Sequence, residues 1–193
     1  MYALLCMKDI KIPKFLRVKI CILTDPNKYC FANNSMIIQW CIEAKCHISG
    51  DEFQYAARIG AHKFVKRMLK DGFDVHYNED NALKWAATNG HTKTVKVLLN
   101  FNADVNHDYG HALRWAADQG HAETVEILLQ YGADIDVDSG YPLRWAANNG
   151  HLEVVKVLLR YGVDFSIRNN QALKFAKKNK HKEIVKLLEC ITY

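Results

Sequence analysis

A ten-residue pattern returns at intervals of thirty along this chain, and few sequence features limit a fold so severely. Ala112-Leu113-Arg114-Trp115-Ala116-Ala117-Asp118-Gln119-Gly120-His121 follows Ala82-Leu83-Lys84-Trp85-Ala86-Ala87-Thr88-Asn89-Gly90-His91 by thirty residues and precedes Pro142-Leu143-Arg144-Trp145-Ala146-Ala147-Asn148-Asn149-Gly150-His151 by another thirty. Fainter copies lie at Tyr55-Ala56-Ala57 with Gly60, and at Leu173-Lys174-Phe175-Ala176 with His181. A fixed period of this size predicts an array of stacked units, each too small to bury its apolar face alone. In such arrays function belongs to a continuous surface.

Each unit reads as two helical segments. In residues 111–140 the first runs through about Leu113 to Gln119, with Leu113, Ala116 and Ala117 at helical spacing, and Gly120 ends it by taking a left-handed cap. The second follows His121 with the stripe Val125, Leu128, Leu129, repeated as Val95, Leu98, Leu99 and Val155, Leu158, Leu159. Gly132 and Gly162 close the second segments, and Asn102 stands in the equivalent place as the usual substitute. Asp104-Val105, Asp134-Ile135 and Asp164-Phe165 open short polar connections. Units fall at about 51–80, 81–110, 111–140, 141–170 and 171–193. In the last, Ala147 becomes Lys177, Leu159 becomes Glu189 and Gly150 becomes Lys180, which predicts a cap with a polar outer face. Residues 1–50 form a separate segment, either a cap on the first unit or a small α/β or irregular domain. Within it Arg17-Val18-Lys19-Ile20 alternates like a strand, Asp25-Pro26-Asn27 reads as a turn, and a helix begins near Ser35.

Composition narrows the function. Residues 1–50 carry 7 basic and 3 acidic side chains, residues 51–170 carry 13 and 16, and residues 171–193 carry 6 and 2. The acidic middle argues against the continuous basic stripe of a nucleic-acid binder. No run approaches the roughly 18 apolar residues of a membrane span, and the first seven residues lack the basic start of a signal peptide. Five of the six cysteines (Cys6, Cys21, Cys30, Cys41, Cys46) precede the array and no CxxC pair occurs, so reduced, mostly buried thiols in an intracellular, cytoplasmic protein are expected. Zinc on Cys30, Cys41, Cys46 and His47 matches no established spacing. No P-loop, HExxH or GxSxG motif appears. The expectation is a protein that is not an enzyme and uses no metal or cofactor.

The pattern resembles the ankyrin repeat. Pro142-Leu143, Ala146-Ala147, Gly150-His151, Val154-Val155, Leu158-Leu159 and Gly132-Ala133-Asp134-Ile135 carry the resemblance, which spans about residues 51–193. It implies an all-α solenoid of stacked helix-turn-helix units that binds protein partners. Two departures stand out: the unit is thirty residues where the family has about 33, and the family's turn histidine is Lys84, Arg114, Arg144 or Lys174. The projecting β-hairpin fingers of the family should therefore be shortened. Short Ala-Leu-Arg-Trp-Ala-Ala units are also similar to the ankyrin proteins of giant DNA viruses of amoebae, which would place the protein in the host cytoplasm.

Candidate site residues follow from the period. Tyr55, Trp85, Trp115, Trp145 and Phe175 form an aromatic ladder; Trp115 lies about 200° from Leu113 on the helical wheel, pointing away from the core. The ladder either anchors a protein partner or only stacks and seals the array. The basic row Lys84, Arg114, Arg144, Lys174 is either a solvated or locally paired face, or recognises an acidic segment. Asn89, Gln119 and Asn149 share the exposed side and vary between units as specificity contacts would. His91, His121 and His151, one per unit and roughly 10 Å apart, are too far apart to share a metal and read as turn caps. His107-Asp108-Tyr109-Gly110-His111 reads as an exposed connection. The leading expectation is a monomeric protein-interaction module with Trp85, Trp115 and Trp145 as apolar anchors. The alternative is an adaptor whose first 50 residues recruit host machinery such as a ubiquitin ligase.

Overall fold

The computed structural model describes residues 50–191. The strand, turn and helix expected in the first 49 residues, and the five cysteines there, lie outside the described residues. Cys190, the sixth cysteine, is free and exposed rather than buried.

Five helical pairs follow in order: α1 (Gly50–Arg58) with α2 (His62–Lys70), α3 (Tyr77–Thr88) with α4 (Thr92–Asn100), α5 (His107–Asp118) with α6 (Ala122–Gln130), α7 (Val137–Asn149) with α8 (Leu152–Arg160), and α9 (Ile167–Lys178) with α10 (Lys182–Ile191). The described residues contain no strand, so the array is all-α. The odd-numbered helices form one layer and the even-numbered helices another. Contacts between successive units are more extensive in the first layer. Its contact positions are alanines (Ala56 and Ala57, Ala86 and Ala87, Ala116 and Ala117, Ala146 and Ala147), all buried, and their small side chains let the backbones come close. Leu98, Leu128 and Leu158 are fully buried between the layers, each worth about 2 kcal/mol relative to exposure.

Helix ends follow the glycine pattern. Gly120 sits at φ +82°, its N–H donates to Ala117 O at 3.3 Å, and the His121 N–H reaches Ala116 O at 2.9 Å. These bonds satisfy carbonyls that the helix end would orphan. Asn102 takes φ +66° in the place that Gly132 and Gly162 hold one and two units later.

The glycine has a second task that periodicity hides. The histidine of each following unit lies against it: a Cβ on Gly60, Gly90, Gly120 or Gly150 would stand 2.5–2.7 Å from the ring of His91, His121, His151 or His181. Each ring then reaches one unit back. His91 Nε2 donates to Arg58 O at 2.9 Å, His121 to Thr88 O at 3.1 Å, His151 to Asp118 O at 2.8 Å and His181 to Asn148 O at 2.9 Å. A carbonyl only accepts, so Nε2 carries the proton. The histidines begin the second helices but make no side-chain cap bond there. They are bolts between units rather than turn caps.

At the last unit Lys177 Nζ meets Glu189 Oε1 at 2.7 Å, so the two charges that replace apolar contact residues pair with each other. Lys180 holds the left-handed conformation at φ +62°. Its side chain starts where the histidine of any further unit would have to enter.

Candidate functional site

The short period is explained by the start of each first helix. Asn78, Glu79 and Asp80 have φ of 51°, 58° and 53°; Asp108, Tyr109 and Gly110 have 52°, 52° and 62°; Asp138, Ser139 and Gly140 have 49°, 56° and 71°. One left-handed turn thus stands in each of these places, closed by Gly110 N to Asn106 O at 3.0 Å and Gly140 N to Asp136 O at 2.9 Å. The expected shortened hairpin finger is corrected to this turn, which leaves no strand to project. Left-handed residues cost about 1–2 kcal/mol each unless they are glycine, with asparagine and aspartate favoured next. Glycine at 110 and 140 also makes room for Val137 and Ile167 of the next unit, which a Cβ would meet at 3.1 and 3.3 Å. At the equivalent place Asp80 is buried, its carboxylate 3.1 Å from His76 Nδ1, and that contact raises the His76 pKa above its ordinary value.

Tyr109 is the poor fit, 81% exposed with nothing packed on it to offset its backbone. Tyr109→Asn is expected to raise stability by about 1 kcal/mol, read as a higher urea midpoint. A lower midpoint would show that the phenol ring makes a contact the exposure does not reveal.

The basic row serves these turns. Lys84 Nζ lies 3.2 Å from Asp108 Oδ2 of the next unit and holds that carboxyl below its usual range by hydrogen bonding and charge. Arg114 Nη2 donates to Asp108 O at 3.2 Å in its own turn, while Nη1 lies 3.6 Å from Asp138 of the next unit. Arg144 is buried. Its Nη2 donates to Asp138 O at 2.9 Å and its Nε to Ser139 O at 3.1 Å. Arg168 replaces the next aspartate, and Arg144 Nη1 turns instead to Gln171 Oε1 at 3.3 Å. In two units the two departures from the ankyrin pattern are therefore one adaptation: the shortened connection is a left-handed turn, and Arg114 or Arg144, in place of the turn histidine, donates to its carbonyls, while Lys84 pairs with the Asp108 carboxylate. Each of the three guanidinium nitrogens of Arg144 donates to a group within the chain.

The aromatic ladder is uneven. Trp85 is 43% and Trp115 36% exposed, whereas Trp145 is half-buried, with its ring 5.5 Å from Tyr141 and 6.3 Å from Phe175. Arg58 stacks on Tyr55 at 5.2 Å and on Trp85 at 6.0 Å. His111, read from the sequence as part of an exposed connection, is half-buried against Trp115 at 5.6 Å, and burial lowers its pKa below the ordinary value. His111 and Tyr141 each stand four residues before a tryptophan, the spacing that brings side chains together on a helix and the sequence signal for these two contacts.

The polar positions divide too. Asn149 Nδ2 donates to Asp118 O and Oδ1, both at 3.0 Å, and Gln119 Nε2 to Asp118 Oδ2 at 2.8 Å. Asn89 Nδ2 donates to Trp85 O within its own helix at 2.8 Å. All three remain exposed beside the tryptophans. The Asp134 side chain accepts the Asp136 N–H at 3.1 Å, one of four such turns (Asp74, Asp104, Asp134, Asp164) that fold the connections.

Comparison with known proteins decides the family. The sequence model described as ankyrin repeats (3 copies) matches residues 53–139 and 136–191. The chain belongs to the ankyrin-repeat family. A search of curated proteins found no match. Ankyrin repeats are generally protein–protein interaction modules, and the family is typically non-enzymatic. In this ankyrin array Trp85, Trp115 and Trp145 lie on the odd-numbered helices, the layer with the more extensive contacts between units. No helix among the described residues is long and apolar enough to cross a membrane.

Proposed function

We propose that this ankyrin array binds a partner protein through the concave face of α3 and α5, with Trp85 and Trp115 as its anchors. The observation that carries this reading is their exposure on one face of two adjacent units, while Trp145 is already occupied by Tyr141 and Phe175. Large amphipathic rings on a rigid scaffold are the side chains that dominate interface energies. Asn89 and Gln119 flank them and supply polar contacts. Lys84, Arg114 and Arg144 support the face by holding its turns rather than meeting the partner as free charges. The protein acts as a monomer and without nucleic acid, consistent with 13 basic and 16 acidic residues over 51–170. Nothing among the described residues favours the adaptor reading.

The test is recovery of partners by the intact chain and by Trp85→Ala/Trp115→Ala, with melting curves to show that both are folded. Each truncation at such an anchor costs about 2 kcal/mol or more, so the double variant is expected to lose its partner almost completely. Equal recovery by two folded proteins would remove this face from consideration.

A further inference from the structure

The position four residues before the ladder residues Trp85, Trp115, Trp145 and Phe175 is Asn81, His111, Tyr141 and Gln171 in successive units. Where it is tyrosine, the space between two units is filled. The Tyr141 ring lies 5.5 Å from Trp145, with the guanidiniums of Arg114 and Arg144 at 5.5 and 6.0 Å from its centre. Burial there raises the Tyr141 pKa above its ordinary value. One unit earlier the residue is the smaller His111, and a cleft of about 380 Å³ remains open, lined by Asn81, Lys84, Trp85, Thr88, Asp108, His111 and Trp115. That volume lies within the range of roughly 300–1,000 Å³ typical of ligand pockets.

We propose that this cleft receives a single aromatic side chain, tyrosine or phenylalanine, from the partner protein, and that Tyr141 shows in this same chain how such a ring is held. The inference rests on the groove reading above and names the partner feature that the groove selects. The walls favour a neutral ring. Two indoles border the space, and Lys84 and Asp108, 3.2 Å apart, already pair with each other, so neither is a free counter-ion for a charged side chain entering the cleft. Offset or tilted packing on an indole adds about two- to tenfold in affinity over an aliphatic group of similar area.

The experiment follows the indole Nε1–H resonances of the full chain in proton–nitrogen spectra while N-acetyltyrosinamide or N-acetylleucinamide is added. The expected result is a saturable shift of the Trp85 and Trp115 signals by the tyrosine probe, with a midpoint on the order of a millimolar. The leucine probe should bind at least several-fold more weakly, and the Trp145 signal should stay in place. His111→Tyr places in the cleft the ring that Tyr141 places one unit later, and it should weaken the tyrosine probe at least tenfold. No shift, equal response to both probes, or an unchanged titration in a folded His111→Tyr protein would overturn the proposal. If His111→Tyr does not fold, the comparison of the two probes on the intact chain, with Trp145 as internal control, still decides it. A failed titration alongside loss of the partner in Trp85→Ala/Trp115→Ala would sink the cleft and leave the groove standing. A normal titration with the partner indifferent to both tryptophans would sink the groove.

Discussion

Gly120→Ala is expected to destabilise the array by about 3–6 kcal/mol, while Gly132→Ala costs only about 1–2 kcal/mol. Both glycines end helices in the left-handed conformation, at φ +82° and +85°, so the backbone strain of adding a Cβ, about 1–2 kcal/mol, is common to them. The surroundings differ. A Cβ on Gly132 meets nothing within 4 Å, whereas one on Gly120 stands 2.6 Å from the His151 ring. The ring must move, and its bond to Asp118 O, 2.8 Å long, is stretched or lost. The bond is worth about 1 kcal/mol and the displaced packing about 1–3 kcal/mol more. Thermal melts should separate the variants by several degrees, at roughly 2–4 °C per kcal/mol. Equal shifts would mean that the next unit does not depend on that space.

Arg144→Ala is expected to cost about 3 kcal/mol of folding stability. The residue is 8% exposed and donates to two turn carbonyls and to Gln171. Removing it leaves the Ser139 and Asp138 carbonyls without this donor, and each hydrogen bond to a charged group is worth roughly 1.5–3 kcal/mol. Arg144→Lys should recover less than half of the loss, because one ammonium cannot reproduce a planar fork. Lys174→Ala, at the equivalent but exposed place in the last unit, should stay within about 0.5 kcal/mol. Urea midpoints for the three variants check the order. If Arg144→Ala is as mild as Lys174→Ala, the guanidinium does not support the turn, and the sequence-level idea of a free charge on the binding face regains its place.

Periodicity was enough to place two helices in each unit and the ends of the first ones, but not their starts: α5 begins at His107, where the pattern suggested about Leu113. Leu113, Ala116 and Ala117 lie on one helical face because the burial requirement repeats with the helix turn, and all three are buried. Asn102 takes the left-handed cap expected of it, because the demand for positive φ is a property of the local chain. Lys177 and Glu189 stand where earlier units carry alanine and leucine, and the two charges pair with each other. These features are set by interactions within a few residues, or by a burial rule that acts on every unit alike, and a single chain displays them.

What lies between units needed the folded array. The Gly120 cap could be read from the turn, but the ring that occupies its missing Cβ belongs to His151, 31 residues on. The loss of three residues from each connection was visible, but the left-handed turn that replaces them, with Arg114 and Arg144 donating to its carbonyls and Val137 and Ile167 against its glycines in two of the units, was not. A helical wheel turned Trp85, Trp115 and Trp145 outward alike, since it measures direction from one axis and takes no account of neighbours. The stacking of units then closes Trp145 between Tyr141 and Phe175 and leaves a cleft between Trp85 and Trp115, because a ring's exposure depends on what the adjacent unit puts beside it.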